Sequence, residues 1–208
     1  MNASQVQAWN SFLDEVTSSE SKHYLWLRSL SYLEYIGYRK MVKALGYDNV
    51  NKGVYHHLTD EIQHSFMLRE LAEKGFGRQK AESFSEVYQE VAEDYFQKID
   101  GRIHDWVQGA CGEENPLYCY LLTSFIIEKR AMSVYPHYYH RLEDAPSKMI
   151  IQKIIKDESE HLSYLEGKMS QVPGLDQTQA EGLLKFEADC FSDYLRRMQA
   201  CFQHSCAA

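Results

Sequence analysis

"DEIQHSF" at residues 60–66 and "DESEHLS" at residues 157–163 share one pattern, a Glu three residues before a His inside a helical stretch. Residues three apart project from the same side of a helix, so each stretch turns a carboxylate and an imidazole towards one place. A lone glutamate stands in the helical stretch before each motif, Glu34 lying 27 positions ahead of Glu61 and Glu128 lying 30 ahead of Glu158. The chain therefore carries one unit twice: a helix with a central Glu, a short turn, and a helix with Glu-x-x-His.

Helix rise tests the pairing. Glu34 to Gly46 and Asn49 to Glu61 are each 12 residues, roughly 18 Å of helix, so the two carboxylates fold back to the same height. Glu128 to Leu142 and Asp144 to Glu158 are each 14 residues, roughly 21 Å, with Pro136 loosening that estimate. All four glutamates lie in apolar stripes. Leu27, Leu30, Tyr38, Met41 and Leu45 share the face of Glu34, and Val54, Leu58, Leu68 and Leu71 flank Glu61 and His64. Leu121, Phe125, Met132 and Tyr135 surround Glu128, while Ile151, Ile154, Leu162 and Leu165 surround Glu158 and His161.

The rest of the chain is helical in period, with four prolines and 11 glycines in 208 residues. The class is all-α. We read one domain over residues 1–208, with core helices at about 20–45, 52–74, 116–142 and 145–172 and accessory helices at about 5–16, 80–99 and 178–204. Thr17 and Glu20 have capping-box spacing before the second helix, Asn49 or Asn51 can cap the third, and Gly46, Gly75 and Gly77 end helices. "RIHDWVQGACGEEN" reads as a short helix and a loop, and Pro136 is expected to bend or break its helix. Leu183, Leu184, Phe191, Tyr194, Leu195, Met198 and Phe202 form a stripe that suits docking on the bundle or on a second subunit.

Composition narrows the function. A formal charge of -8 with no Lys/Arg run argues against nucleic acid. No signal peptide begins the chain, and the longest apolar run is too short to span a bilayer, so we expect a cytoplasmic protein without a membrane partner. Five cysteines without CxxC spacing suit reduced thiols.

Four ionised glutamates facing one core would cost several kcal/mol each, so they must be protonated, paired with cations, or bound to metal. Two divalent ions would carry the balancing charge, and neutral imidazoles would complete their coordination. With these residues, the sequence resembles the ferritin-like di-iron carboxylate superfamily, whose four-helix bundles take one Glu from each of two helices and Glu-x-x-His from each of the other two. The resemblance covers roughly residues 20–74 and 116–172. It implies a four-helix bundle with extra N-terminal, connecting and C-terminal helices. It also implies Glu34, Glu61, His64, Glu128, Glu158 and His161 as ligands of two iron ions, or of manganese or a mixed pair, with Glu61 and Glu158 as bridges. A third Glu-x-x-His, Glu20 with His23, lies 14 residues from Glu34, about 21 Å away, and we assign it to chance.

His57, on the metal-facing side, is a candidate third imidazole ligand, outer donor or core histidine, and we favour the last two. Asp157 is a candidate hydrogen-bond partner for a ligand. Tyr38 and Tyr135 are candidates for the same role or for core packing. The resemblance implies either a di-iron oxygenase or oxidase that activates O₂ to oxidise a small organic substrate, or an iron-handling ferroxidase or peroxide scavenger. Without a CxxC pair for a built-in rubredoxin-like donor, an oxygenase needs an external electron donor. The 67 positions between Glu61 and Glu128 exceed a plain crossover and leave room for a helix over a substrate pocket, and we favour the oxygenase reading. Leu30, Phe125 and Met132 are the expected lining of an apolar channel, and a homodimer is one option for assembly.

Overall fold

A computed structural model describes residues 3–46, 50–76 and 87–205. Seven α-helices run through them: α1 (Ala3–Thr17), α2 (Glu20–Leu45), α3 (Lys52–Phe76), α4 (Val87–Cys111), α5 (Pro116–Tyr139), α6 (Ala145–Glu166) and α7 (Gln177–Ser205). The pairs α2/α3 and α5/α6 are the two hairpins of the repeated unit; α2 also packs on α5 and α3 on α6, closing a four-helix bundle. Two serines beside the site tie the first hairpin, the Ser31 hydroxyl donating to the Ser65 carbonyl (2.7 Å) and the Ser65 hydroxyl to the Ser31 carbonyl (2.8 Å).

Caps start the helices. Asn51 accepts from the backbone N–H groups of Gly53 (2.9 Å) and Val54 (3.2 Å), Asn115 from Tyr118 (3.2 Å), and Asp144 from Ser147 (2.8 Å), each stabilising its helix by about 1 kcal/mol. The capping box expected at Thr17 is not formed, because the Thr17 hydroxyl bonds back to the Leu13 carbonyl and Ser19 occupies the cap. Gly46 ends α2 at φ 62°, a conformation that favours glycine. Asn49 and Gly77 lie outside the described residues, and Gly75 lies inside α3.

Three boundaries differ from expectation. The weak stretch after residue 99 continues one helix, α4, to Cys111. Gly101 and Gly109 lie on its exposed side, and the stripe Tyr95, Ile99, Ile103 and Val107 is buried, so packing overrides the low propensity of glycine. Pro136 falls in the last turn of α5, and the helix runs on to Tyr139. α6 stops at Glu166 rather than near Val172: a single 3₁₀ turn at Met169–Gln171 follows, and Val172 is extended, as a residue before a proline tends to be.

α4 lies across α2 and α5, and α7 covers α4 and meets α1. The stripe on α7 is the docking face, with Leu183, Phe191, Tyr194, Met198 and Phe202 buried against these helices. Cys111, Cys119, Cys190 and Cys201 are free thiols. Among the described residues no helix is long and apolar enough to cross a membrane.

Candidate metal centre

The six residues singled out by the repeated unit meet between the two hairpins. Their donor atoms form two groups, one of Glu34, Glu61, His64 and Glu158 and one of His57, Glu61, Glu128 and His161, with all donor atoms of a group within 4.8 Å of one another. Glu61 belongs to both. Glu158 faces both histidines, Oε1 lying 2.8 Å from His64 Nδ1 and Oε2 lying 3.2 Å from His161 Nδ1. These are the two carboxylates expected to bridge.

Each histidine is held from behind by the other hairpin's aspartate. His64 Nε2 donates to Asp157 (3.0 Å), and His161 Nε2 donates to Asp60 (3.2 Å). A carboxylate accepts only, so each ring carries its proton at Nε2 and turns Nδ1 to the site. Asp157 is also gripped by Lys153 at 2.5 Å, and together with His64 this outweighs burial and holds its carboxyl below the usual range. Asp60 was missed in the sequence; the signal was its position immediately before Glu61, matching Asp157 before Glu158.

His57, expected on the metal-facing side, lies among the donors. Its Nε2 is 2.9 Å from Glu128 Oε1 and 3.2 Å from Glu61 Oε1, and its Nδ1 is 3.1 Å from the Tyr120 hydroxyl. Tyr135 donates a short hydrogen bond to Glu34. Tyr38 packs half-buried against the core with no hydrogen bond to the cluster among the described residues. His23, of the third Glu-x-x-His, bonds Tyr138 instead, and Glu20 is exposed.

The fit to metal can be tested on the donors themselves. His64 Nδ1 and Glu158 Oε1 are 2.8 Å apart and buried with no other partner, so something positive, a proton or a metal ion, must lie between them. The spacing suits the metal, since two donors each about 2.1 Å from a divalent ion stand roughly 3 Å apart at right angles. The residues fit a di-metal site.

Without metal, protons carry the compensating charge. Burial and repulsion from Glu61 and Glu158 hold Glu34 well above the usual carboxylate range, with Tyr135 opposing them. Burial and Glu158 raise Glu128 to about 8, while Glu158, surrounded by Glu128, His161 and His64, is held well below its usual value despite burial. Burial works against the charged imidazoles, but the carboxylates outweigh it. Glu128 and Glu61 bring His57 to about 9, Glu158 brings His64 to about 8, and Glu128 with Glu158 brings His161 to about 12.

A cavity of about 70 Å³ reaches Glu34, Glu61, Glu128 and Glu158 from one side. Leu30 lines it as expected, joined by Phe96 of α4, Ile127 and Val134; Phe125 and Met132 are not in its wall.

Residues 51–181 match the family model described as long-chain fatty aldehyde decarbonylase. The chain belongs to the long-chain fatty aldehyde decarbonylase family. That family is a ferritin-like di-iron family, in keeping with the helical bundle and its buried carboxylates and imidazoles. Five of the six candidate ligands fall inside the match, with Glu34 and most of α7 outside it. No curated protein and no solved structure matches the chain. The family and the buried cluster together make this a di-iron type of enzyme.

Proposed function

We propose that this decarbonylase-family member binds two iron ions and cleaves the bond between the alkyl chain and the carbonyl carbon of an aliphatic aldehyde. That carbon leaves as formate with one oxygen of O₂, while an external donor's four electrons and three protons form the hydrocarbon's C–H bond and reduce the other oxygen to water. The observation that carries the reading is an apolar cavity that ends on the carboxylates of a buried di-metal site. Glu34, Glu61, His64 and Glu158 would hold one ion, and Glu61, Glu128, Glu158 and His161 the other. When bound, the ions supply the activation of O₂, chemistry that no side chain supplies alone.

The chain's own residues do the rest. Asp60 and Asp157 fix the imidazole rings so that Nδ1 faces the carboxylate cluster and would be free to bind an ion there, and Tyr135 fixes Glu34. Leu30, Ile127 and Val134 present an apolar wall that would exclude water and hold the alkyl part of the substrate, leaving the polar aldehyde group against the carboxylate end. Manganese in place of iron would keep the ligand set and change the redox chemistry.

The test is anaerobic loading with Fe(II), elemental analysis across a sizing column, and incubation with aldehydes, O₂ and a chemical reductant. About two irons per chain on a small species, with conversion of aldehyde to a hydrocarbon one carbon shorter, is the expected outcome. Many irons per chain retained on a large shell, with aldehyde untouched, would mean iron handling instead.

A further inference from the structure

The stripe on α7 is buried within the chain, but a second apolar stripe is not. Ser31 faces α3, and Tyr35, Tyr38 and Val42 follow it at four, seven and eleven positions, so they run beside α3 along the outer side of α2. The antiparallel register set by Ser31 and Ser65 brings Tyr35 level with Ile62 and Val42 level with Tyr55. Phe66 is 62% exposed, and Tyr35, Val42 and Tyr55 are exposed to between 41% and 49%. α6 packs on the other flank of α3, and no described helix covers this face. Apolar patches of this kind mark contact sites.

The order along α3 identifies the occupant. Lys52, Tyr55, Thr59, Ile62, Phe66 and Arg69 recur at alternating three and four positions, the spacing of helices that pack along their length, and Glu73 continues it. The series is nearly symmetric about Ile62, with Tyr55 and Arg69 seven positions to either side and Lys52 and Glu73 ten and eleven. A two-fold axis at Ile62 therefore lays two such helices antiparallel with matched contacts. The uncharged stretch from Tyr55 to Phe66 covers itself, and Tyr55 meets the partner's Arg69, a guanidinium whose side chain is 59% exposed.

Charge fits the same axis. Lys43 and Lys52, at the turn end of the hairpin, are exposed and in no ion pair among the described residues. The far end of α3 carries Glu70 and Glu73. Glu70 shares a solvent-exposed pair with Lys74 at 3.5 Å, an interaction of little strength, so its carboxylate is available to the partner's Lys52. Parallel docking would instead set lysine against lysine. From Lys52 to Glu73 the face runs roughly 31 Å, and two helices make it roughly 18 Å wide, on the scale of an interface that buries about 800 Å² per partner.

We infer that the outer face of the α2/α3 hairpin binds a second copy of this chain, in a two-fold dimer centred on Ile62. A separate electron-donor protein has no reason to match a series that is symmetric about its own centre. The dimer backs α3, the helix that supplies Glu61 and His64, from its solvent side.

The experiment is sedimentation velocity on the full chain from about 1 to 100 μM, with Phe66→Asp beside the wild type. The wild type is expected to run as a dimer at the upper concentrations, and Phe66→Asp to dissociate at least about 100-fold more readily. Lys52→Glu and Glu70→Lys should each weaken the dimer about tenfold, and an equal mixture of the two should recover wild-type affinity, because every contact again joins opposite charges. Lys52 stands in the first turn of α3, where a carboxylate favours the helix, so Lys52→Glu does not weaken the fold. With oxidised glutathione, Ile62→Cys should cross-link to a covalent dimer, and Met149→Cys, 69% exposed on α6, should do so at least about tenfold more slowly.

A wild type that stays monomeric throughout the series, a dimer that Phe66→Asp leaves intact, a mixture no tighter than its components, or equal cross-linking of Ile62→Cys and Met149→Cys would overturn the inference. The cross-link decides even where Phe66→Asp folds poorly. A complex that forms on this face only when an electron-donor protein is added would assign the face to that protein and overturn the dimer.

Discussion

A methyl group on Gly37 would stand 2.8 Å from Glu61 Oε2, closer than real Cβ contacts come. Gly37 faces the site from α2, and its missing side chain is the space that the Glu61 carboxylate occupies. Alanine there gains up to about 1 kcal/mol in helix propensity while pushing Glu61 aside. Gly37→Ala should therefore unfold in urea no earlier than the wild type without metal, yet bind Fe(II) at least tenfold more weakly in a competition titration. Asp60→Ala and Asp157→Ala release one imidazole each and should each cost about 10- to 100-fold in metal affinity with helicity by circular dichroism unchanged. An affinity that moves only for Asp157 would show that the two histidines are held unequally. These residues differ in how far the sequence reveals them. Glu34, Glu61, His64, Glu128, Glu158 and His161 are legible because their spacing is internal to a helix or a hairpin. Gly37 acts across helices, on Glu61, so no spacing within one element announces it, whereas Asp60 is marked in the sequence only by standing before Glu61 as Asp157 stands before Glu158.

Among the elements, legibility follows the same physical line. Both hairpins and the cap at Asn51 are local, whereas the unbroken course of α4 through Gly101 depends on a face buried by its neighbours. α6 ends at Glu166 with Gly167 as its cap, a glycine signal present in the chain but outweighed, in the sequence, by the apolar period that runs on towards Val172. The inner side of α7 read as a docking stripe, yet its charged member Glu187 did not, because its partners Arg130 and Tyr95 come from α5 and α4. That ion pair joins three helices, with side-chain exposures of 11% and 3%. Glu187→Gln alone leaves a buried guanidinium without its counter-charge and should destabilise the metal-free protein by about 3–5 kcal/mol in urea unfolding. Adding Arg130→Ala should restore part of that loss, since removing both charges is milder than removing one. A double variant as unstable as the sum of the single changes would mean that the pair acts through packing, not charge.

For the molecule as a whole, the same cluster can be compensated by protons or by metal, and pH distinguishes the two states. In the metal-free protein His57, His64 and His161 keep their protons to about 9, 8 and 12, and Glu128 keeps its own to about 8. All four values are raised, from ordinary values of 6.5 for the imidazoles and 4.5 for the carboxyl. Each group therefore holds more protons folded than unfolded as pH climbs above its ordinary value, and its stabilising contribution is lost as pH passes through the raised one. All four act in the same sense from about pH 6.5 to 8, and His57 and His161 carry the slope on to about 9, so the melting temperature of the metal-free protein should fall across that window in a pH series of thermal scans. Metal reverses the slope. Ligation needs His64 and His161 free of their Nδ1 protons and Glu128 ionised, so each bound ion expels protons and its affinity rises with pH by up to about tenfold per unit for every proton released. Binding to the folded state alone then raises the melting temperature most at the alkaline end, where the metal-free protein is weakest. The curves with and without metal should diverge from pH 6.5 to 9, and an indicator dye in weak buffer should record proton release on adding Fe(II) without air. Parallel curves with no proton release would mean that the ions bind away from these histidines and carboxylates.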